Sequence, residues 1–297
     1  MSTPILSELH TIRDFIRYCW SSMNREDLYF GHGTDNAWDE SVHLVLGLLH
    51  LPWDLDQRML DARLITTEKE TLLAGLARRI GGREPLPYIL GEAWFMGMPF
   101  EVSPAVLIPR SPIAELLEKG FQPWVDEIQP LRILDLCCGS GCIGIAAAMI
   151  FEEAEVVLAD ISPEALAIAQ RNIHRYGLED RVTVVQSDVY SGLEGTFDLI
   201  LTNPPYVDAD DMANLPPEYH HEPRLGLASG EDGLDCTRQI LAGAAAHLSE
   251  GGLLVGEVGN SLPALLEAFP TLPFILPDME QGGDGIFLIH ATDLVDA

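Results

Sequence analysis

The sequence predicts an α/β fold in which a mostly parallel, seven-stranded sheet follows a smaller helical N-terminal domain. From residue 131 onward, short apolar runs alternate with helical segments, as in sheets built from strand–helix–strand units. Before residue 90, apolar residues instead recur at helical spacing. A turn of small residues follows the first apolar run, where the backbone of such a sheet can approach a ligand closely.

Residues 1–90 are expected to form the helical domain. Apolar spacing indicates two helices, and the pair Thr67 and Glu70 predicts a capped start for a third that stops at Gly81. A glycine-rich segment between the first two helices contains His32 and Asp35. We interpret it as structural, because a lone histidine in such a turn is more often structural than catalytic or metal-binding.

A hairpin linker is expected at residues 91–110. The helical pattern breaks at the prolines of 85–87, and residues 93–102 predict a β-hairpin. Ser111 followed by proline is typical of a helix N-cap, so the second domain is assigned to residues 111–297.

The second domain predicts a regular series of strands and helices. Strands are expected at residues 131–136, 155–158, 182–186, 197–202, 252–258, 274–279 and 285–290. Helices are expected at residues 143–151, 162–176, 233–248 and 260–269. The last two strands would form a hairpin, joined by residues 280–284, on an otherwise parallel sheet.

The charge balance is strongly acidic. Seventeen Lys and Arg oppose 46 Asp and Glu, which gives a formal net charge of −29. Such a surface repels phosphate backbones, so DNA is not expected as a partner, whereas a basic protein would be attracted. Acidity that only aids solubility, or reflects a salt-rich host, is the alternative.

Five cysteines, three of them within residues 137–142, fit neither a disulfide framework nor a zinc-binding spacing. We therefore expect a reducing, cytoplasmic location and no metal. No run of about 18 apolar residues occurs that would span a membrane. The first residues also lack the apolar core of a signal peptide.

The turn after the first predicted strand has residue types suited to nucleotide binding. It consists of Cys137, Cys138, Gly139, Ser140 and Gly141. Asp160 ends the next strand about twenty residues later, where a carboxylate can bind ribose hydroxyls. Because the glycines at 139, 141 and 144 also match the dinucleotide fingerprint, a nicotinamide-dependent dehydrogenase is an alternative.

Asn203, Pro204, Pro205 and Tyr206 follow the fourth predicted strand, at the edge where open α/β sheets bind ligands. Asn203 offers a carbonyl acceptor, and the two prolines lack N–H groups and lend only carbonyl oxygens. Tyr206 adds an aromatic face. The segment is thus suited to accept hydrogen bonds from a planar –NH₂ group. The alternative is a rigid proline turn capped by asparagine.

Residues 207–232 form a long acidic loop, which predicts a lid or a target-binding surface. The loop contains His220, His221 and Glu222. These three are unfavourable as a metal site, because adjacent side chains point apart in most backbone conformations.

Residues 135–143, together with the Asn-Pro-Pro-Tyr segment, resemble the protein N5-glutamine methyltransferase family. The resemblance covers nearly the whole chain and implies a helical N-terminal domain, a hairpin linker and a seven-stranded, Rossmann-like, S-adenosylmethionine-dependent methyltransferase domain. Release-factor-directed members carry Pro-Glu-Thr-Glu after the Ile-Pro-Arg run, where this chain has Ser111 and Pro112. The Ser111-Pro112 segment and residues 30–40 and 93–95 are similar to those of another branch of the family. Enzymes of that branch methylate a glutamine of the third protein of the large ribosomal subunit.

The resemblance also implies roles for individual residues. Methyl transfer from S-adenosyl-L-methionine to the glutamine amide would use Asn203, Pro204, Pro205 and Tyr206. Cofactor binding would use Cys137, Cys138, Gly139, Ser140, Gly141, Asp160, Asp188 and Asn203. Asp188 would face the adenine amine, and Cys137 stands where the family usually has glycine.

The expected partner is a basic ribosomal protein, large-subunit protein three, with no DNA and no membrane. Two enzymes remain as alternatives: a release-factor glutamine methyltransferase, and an adenine-N6 nucleic-acid methyltransferase, since Asn-Pro-Pro-Tyr also occurs in DNA adenine methyltransferases. An inactive binding module that kept the fold is the third alternative.

Overall fold

The computed structural model describes residues 3–125, 130–280 and 282–294, and the chain divides into two compact units. The first unit contains Met1–Ala93 and Pro216–His221, and the second contains Trp94–Leu215 and Glu222–Ala297. A short segment from late in the chain, 216–221, therefore belongs to the first unit, which the sequence pattern did not predict. Gln281, expected in the turn of the terminal hairpin, lies outside the described residues.

The first unit is helical, as the spacing of its apolar residues predicted. Its helices are α1 (Thr3–Glu8), α2 (Ile12–Met23), α3 (Ala37–Leu48), α4 (Thr66–Gly81) and α5 (Leu86–Leu90). The Thr11 hydroxyl accepts from the Asp14 N–H at 3.2 Å, and the Asp14 carboxylate accepts from the Thr11 N–H at 2.9 Å, which caps α2. The helices pack around Phe15, Leu44 and Leu72, which are fully buried.

Two local predictions in this unit are wrong. The expected cap of Thr67 and Glu70 is not formed; instead, the Glu68 carboxylate accepts from the Ile65 N–H at 2.9 Å, just before α4 begins. The prolines of 85–87 do not end the helical pattern but begin α5. Proline is compatible with the first turn of a helix because its missing N–H would have no partner there.

A buried ion-pair network holds the 216–221 segment within the first unit. Arg79 is only 1% exposed, and its guanidinium donates to Glu40, to Glu218 at 3.1 Å and to the backbone oxygen of Tyr29 at 2.8 Å. Arg83 pairs with the same Glu218 carboxylate at 3.0 Å. Glu218, which the sequence placed in an acidic loop, is therefore a buried structural group.

The β-hairpin predicted at residues 93–102 is present. Strands β1 (Glu92–Phe95) and β2 (Met98–Glu101) form a separate two-stranded sheet. Met96 and Gly97 between them both have positive φ, as a two-residue turn of type I′ requires.

The second unit is built on one six-stranded sheet. Its strands are β3 (Arg132–Leu136), β4 (Glu155–Asp160), β5 (Val182–Gln186), β6 (Phe197–Thr202), β7 (Leu248–Glu257) and β8 (Ile286–His290). Its helices are α6 (Ile113–Glu118), α7 (Cys142–Ile150), α8 (Pro163–Tyr176), α9 (Ala209–Asn214), α10 (Asp235–His247) and α11 (Leu262–Ala268). The strand order is β5-β4-β3-β6-β7-β8, and every pair is parallel except β7 with β8.

Helices cover both faces of this sheet, which gives two apolar cores. Residues of α6, α7 and α8 contribute to one core, and residues of α10 and α11 contribute to the other. The predicted α/β class is thereby confirmed. Each helix in the described part of the chain is too short or too polar to cross a membrane.

The sixth of the seven predicted strands, at 274–279, is not formed. Ile275 makes a single antiparallel bridge to Leu288, with reciprocal backbone hydrogen bonds of 2.8 Å. Pro273 and Pro277 flank this bridge and lack the N–H groups that a longer ladder would need.

The order of strands reverses between β3 and β6. The chain runs outward from β3 to β4 and β5, then returns to place β6 on the other side of β3. Leu136 and Thr202 are register partners, and the Thr202 hydroxyl donates to the Leu136 carbonyl at 2.8 Å. At such a reversal the two connections leave the sheet in opposite directions, so a crevice opens beyond the carboxyl ends of the strands.

Candidate functional site

A cavity of about 320 Å³ occupies this crevice, within the second unit. Its walls come from the ends of β3, β4, β5 and β6 and from two further segments, 105–111 and 223–239. The predicted site residues that line it are Cys137, Cys138, Gly139, Ser140, Asp160, Asp188, Asn203 and Pro205. Gly141, Pro204 and Tyr206 were also predicted for the site but lie outside the lining.

The two glycines of the turn after β3 have different tasks. Gly139 has φ +54, and nothing lies within 4 Å of where a Cβ would be, so its backbone is open to a ligand. Gly141 has φ +79, and a Cβ there would lie 2.8 Å from Leu158 Cδ1. Gly141 therefore allows α7 to pack on the sheet and does not face the cavity.

Asp160 holds the turn in place. One of its carboxylate oxygens accepts from the Gly139 N–H and the other from the Ser162 N–H, both at 2.9 Å. Burial raises the pKa of Asp160, and these backbone bonds oppose the shift. Each carboxylate oxygen has a further lone pair, so Asp160 can still accept from ligand hydroxyls. Asp188 lines the cavity at the end of β5.

Asp135 lies beneath the turn and is fully buried. Its Oδ2 accepts from the Gly144 N–H at 2.8 Å, while no described residue hydrogen-bonds its buried Oδ1. Burial is the main reason that the pKa of Asp135 is raised to about 7, with the Asp160 charge adding to it. This carboxyl supports the turn from inside the sheet.

Cys137 begins the turn with φ +61, a conformation that glycine adopts without strain. Its Sγ lies 3.9 Å from the Sγ of Cys236 on α10. The contact with Cys236 and burial both raise the pKa of Cys137, which is therefore a neutral thiol at physiological pH. The left-handed backbone explains why glycine is usual at this position in the family that the sequence resembles.

Asn203 follows β6 and lines the cavity. Its side-chain oxygen Oδ1 is buried, and no described residue donates a hydrogen bond to it. Pro205 lines the same wall, whereas Pro204 is buried behind it. Because neither proline has an N–H, the prolines of this wall offer only carbonyl acceptors.

Tyr206 is held away from the cavity. Its hydroxyl donates to Glu257 Oε1 at 2.9 Å, and Ser111 donates to Glu257 Oε2 at 2.6 Å. Sequence reasoning did not identify Glu257 as a site residue. The signal was a single acidic residue within an otherwise apolar predicted strand, since carboxylates are rarely buried unless they are paired or hydrogen-bonded.

The 105–111 wall is fixed by Glu222, which is 5% exposed. The Glu222 carboxylate pairs with Arg110 at 2.8 Å and accepts from the Ile108 N–H at 3.0 Å. Like Glu218, this carboxylate was counted from the sequence among the charges of an acidic loop, and it too is an internal structural group.

Two of the histidines considered above, His32 and His221, make structural contacts. The His32 ring is buried and lies 4.6 Å from the Tyr219 ring, and His221 Nε2 lies 2.8 Å from the Gly82 oxygen. Across residues 3–125, 130–280 and 282–294, no group of three or more His, Cys, Asp or Glu side chains is arranged to hold a metal ion.

The chain is similar to proteins of known family. The family model of the methyltransferase small domain matches residues 116–215. The ribosomal protein uL3 glutamine methyltransferase of Francisella tularensis subsp. tularensis is 48% identical over 98% of this chain and 93% of its own length. The protein of the same name from Bordetella pertussis is 47% identical over 97% of both chains.

Among solved structures, the hMettl16 catalytic domain in complex with MAT2A 3′UTR hairpin 6 is similar with a TM-score of 0.51. It is 15% identical, over 74% of this chain and 80% of that chain. At that identity the likeness extends to the fold alone.

We expect Asp135→Asn to change how stability depends on pH. The ordinary pKa is 3.8 and the folded value is about 7, so unfolding releases the Asp135 proton between these values. The wild-type free energy of unfolding should therefore fall by about 1.4 kcal/mol per pH unit from pH 4 to 7 through this group. The variant lacks this contribution, and denaturant unfolding at several pH values measures the difference.

Asp198→Asn is the control for this experiment. Burial would raise the pKa of Asp198, but bonds from the Ser249 hydroxyl and from the Arg132 and Leu131 N–H groups lower it. Because its pKa is lowered, Asp198 is ionised above pH 5 in both the folded and the unfolded state. Its substitution should therefore change the free energy of unfolding by the same amount at every pH from 5 to 8. If Asp135→Asn also changed the free energy of unfolding by the same amount at every pH, Asp135 would not be protonated in the folded state as we expect.

We expect Cys137→Gly to be tolerated. Glycine relieves the left-handed strain, on the order of 1–2 kcal/mol, which offsets about 0.5–1 kcal/mol of chain entropy and the lost packing of the partly buried thiol. The free energy of unfolding should therefore stay within about 1 kcal/mol of wild type. Cys138→Gly is the matched control: Cys138 is buried and has no positive φ, so it should lose more than about 1 kcal/mol. Equal losses of unfolding free energy in the two variants, measured by denaturant unfolding, would contradict the backbone strain at Cys137.

Proposed function

The chain belongs to the ribosomal protein uL3 glutamine methyltransferase family, and from this premise we propose that it transfers a methyl group from S-adenosylmethionine to the side-chain amide nitrogen of a glutamine in uL3. The observation that carries the proposal is the buried Asn203 Oδ1, which no described residue hydrogen-bonds. A buried acceptor without a donor costs about 1–3 kcal/mol. A hydrogen-bond donor on the substrate would offset this cost, which explains why Asn203 Oδ1 is buried at the cavity wall.

The cavity residues fit S-adenosylmethionine. The open backbone at Gly139 suits the close approach of the cofactor, and the cavity of about 320 Å³ is large enough for a nucleoside-sized group. Asp160 would accept from ribose hydroxyls, and Asp188 would accept from the adenine amine. When bound, this cofactor supplies an electrophilic methyl group on a sulfonium centre.

The residues after β6 would orient the target amide. An amide nitrogen is a poor nucleophile because its lone pair is shared with the carbonyl. Asn203 Oδ1, the buried acceptor at the cavity wall, would accept one proton of the –NH₂ group and turn it against that conjugation. The Pro204 carbonyl, predicted from the sequence as the second acceptor, belongs to a residue behind the lining, so Asn203 is the group that orients the amide. The lone pair would then point along the line of attack, so catalysis relies on positioning.

No strong base is required by this arrangement. The amide nitrogen becomes acidic once it has gained a fourth substituent, and its proton can pass to water after transfer. The absence of a required base fits the wall after β6, where Asn203 and the prolines offer neutral acceptors. Asp160, which also lines the cavity, is already engaged by two backbone N–H groups.

Charge favours a basic protein as the target over a nucleic acid. The chain carries a net charge of −29, and α9, directly after the Asn-Pro-Pro-Tyr segment, exposes Asp210 and Asp211. A ribosomal protein that binds RNA is expected to be rich in Lys and Arg, because it must neutralise phosphates. Glu218 and Glu222 are buried and take no part in this attraction.

We expect Asn203→Ala to reduce kcat on uL3 by about 10²-fold or more, because one preorganised partner of the reacting group is lost. Cofactor affinity, measured by calorimetry, should change less than about threefold, since the oxygen has a partner only when the target is bound. Asn214→Ala, an exposed asparagine on the nearby α9, is the control. Turnover near wild type in Asn203→Ala, followed by mass spectrometry of uL3, would refute the proposed role.

We expect the second-order rate constant on free uL3 to fall as ionic strength rises. Between about 0.01 and 0.15 M salt, the Debye length shortens from ~30 to ~8 Å, which screens attraction between an acidic enzyme and a basic target. Cofactor affinity should change little over the same range. A flat or rising profile would favour acidity as a solubility or salt adaptation.

A pair of charge variants locates the attraction. Asp210→Asn with Glu231→Gln removes two exposed charges near Asn203, and should weaken the salt dependence. Glu152→Gln with Glu153→Gln removes two exposed charges after α7, at the opposite edge of the sheet, and should leave it nearly unchanged. Methylation of duplex DNA by the wild type would overturn the substrate assignment itself.

A further inference from the structure

Glu257 connects two walls of the cavity through one buried carboxyl. It is 5% exposed and accepts two O–H bonds, from Tyr206 at 2.9 Å and from Ser111 at 2.6 Å. Ser111 belongs to the 105–111 wall. Tyr206 belongs to the segment that carries Asn203. The carboxyl therefore sets how far these two walls lie from each other.

The sheet register explains why a residue at this position can do so. Thr202 of β6 is paired with Gly256 of β7, so Asn203 and Glu257 are the next residues along two adjoining strands. Both strands end at the same edge of the sheet because they are parallel. The Asn-Pro-Pro-Tyr segment then passes directly over the turn that follows β7.

Residues of that turn, and Gly233 before α10, also pack against Tyr206 or hydrogen-bond to it. A Cβ at Gly259 would lie 2.6 Å from Tyr206 Cε2, so the Tyr206 ring packs on bare backbone. The Ser261 hydroxyl donates to the Tyr206 carbonyl at 2.8 Å. A Cβ at Gly233 would lie 2.3 Å from the same carbonyl oxygen. Tyr206 is thus fixed at its hydroxyl, its ring and its backbone.

A buried carboxyl contributes little to the free energy of folding. Desolvation offsets much of what its hydrogen bonds contribute, and apolar replacements of such groups are often neutral. Burial raises the pKa of Glu257, against the bonds from Ser111 and Tyr206 and the nearby charge of Arg110. What the carboxyl provides is fixed geometry, because two hydroxyl donors converge on its two oxygens.

We propose that Glu257 is a positioning residue for methyl transfer. It holds Tyr206, and through Tyr206 the Asn203 oxygen, at the separation from the 105–111 wall that the target amide requires. The inference rests on the proposed function, in which Asn203 Oδ1 accepts a proton of the target glutamine. The Tyr206 hydroxyl is engaged by Glu257 and Tyr206 does not line the cavity, so the hydroxyl acts through the position of its neighbours.

The test compares deletions of the hydroxyl groups bound to Glu257 with deletions of other hydroxyl groups. Tyr206→Phe and Ser111→Ala each remove one bond to Glu257, and Ser111→Ala also removes the acceptor of the Ile113 N–H at 3.2 Å. Tyr190→Phe removes a buried tyrosine bond to the Ile240 carbonyl of 3.2 Å, and Ser249→Ala removes a serine bond to Asp198 of 2.6 Å, and neither residue lines the cavity. These two variants are the controls.

We expect Tyr206→Phe to lower kcat on uL3 by about 10-fold or more, because small misplacements of an orienting group are costly to rate. The KM for uL3 and the cofactor Kd should stay within about threefold of wild type, since neither depends on the alignment of the amide. Ser111→Ala should act in the same direction, and the two controls should leave kcat nearly unchanged.

A graded series at the carboxyl itself separates positioning from packing. Glu257→Gln keeps the volume and one acceptor, so it should retain more kcat than Glu257→Ala, which keeps neither. Comparable losses in the two variants, or wild-type kcat in both, would overturn the proposal.

Amide hydrogen–deuterium exchange provides a readout that does not use activity. The amides of Tyr206 and Val207 should exchange faster in Tyr206→Phe and Glu257→Ala than in wild type or Tyr190→Phe, because the segment has lost its anchor. Slower turnover without faster exchange would overturn the proposal, since Glu257 would then act in another way. Faster exchange in an enzyme that does not methylate uL3 would refute the proposed function, and only the anchoring of this segment by Glu257 would stand.

Discussion

The parallel pairing of β3 with β6 is the constraint on which the site depends. It places the turn after Leu136 beside the segment after Thr202, although these residues are 66 positions apart. The first connection offers open backbone at Gly139, and the second offers a buried acceptor at Asn203. Neither feature makes a methyl-transfer site alone. Their adjacency follows from the strand order, which reverses at this pair and leaves a crevice between the two connections.

Carboxylates in this protein serve two separate purposes. Many are exposed and give the chain its acidic surface, whereas Asp135, Glu218, Glu222 and Glu257 are buried at points where the backbone must be held. Asp135 supports the turn after β3, and Glu222 fixes the 105–111 wall. The net charge therefore overstates the number of carboxylates that can attract a partner. It also conceals a set of internal carboxylates that position the cavity walls.

Glu218 and Glu222 lie only four residues apart, yet each belongs to a different unit. Glu218 is held by Arg79 and Arg83 of the first unit, and Glu222 by Arg110 of the second. The long acidic segment after Tyr206, expected from the sequence to be a lid or a target-binding surface, is thus anchored at two points by ion pairs with low exposure. Buried pairs of this kind are strongly destabilising to break, because one partner is left uncompensated.

The sequence by itself determined the α/β class, most strand and helix positions in the second unit, and the edge of the sheet where Asn203 lies. These depend on local periodicity and on turn chemistry, which a chain carries in adjacent residues. Local signals failed where longer contacts decide. The strand expected at 274–279 is only a bridge at Ile275, since flanking prolines remove the donors that a paired neighbour would use.

Only the tertiary structure decided which groups of the site face a ligand and which face the protein. Gly141 and Gly139 look alike in sequence, but one packs against Leu158 and the other is open. Glu257 showed only as one acidic residue in an apolar run, and its partners, Tyr206 and Ser111, come from distant parts of the chain. The physical reason is that burial and hydrogen-bond partnership belong to pairs of residues brought together by the sheet, and a linear pattern records only one member of each pair.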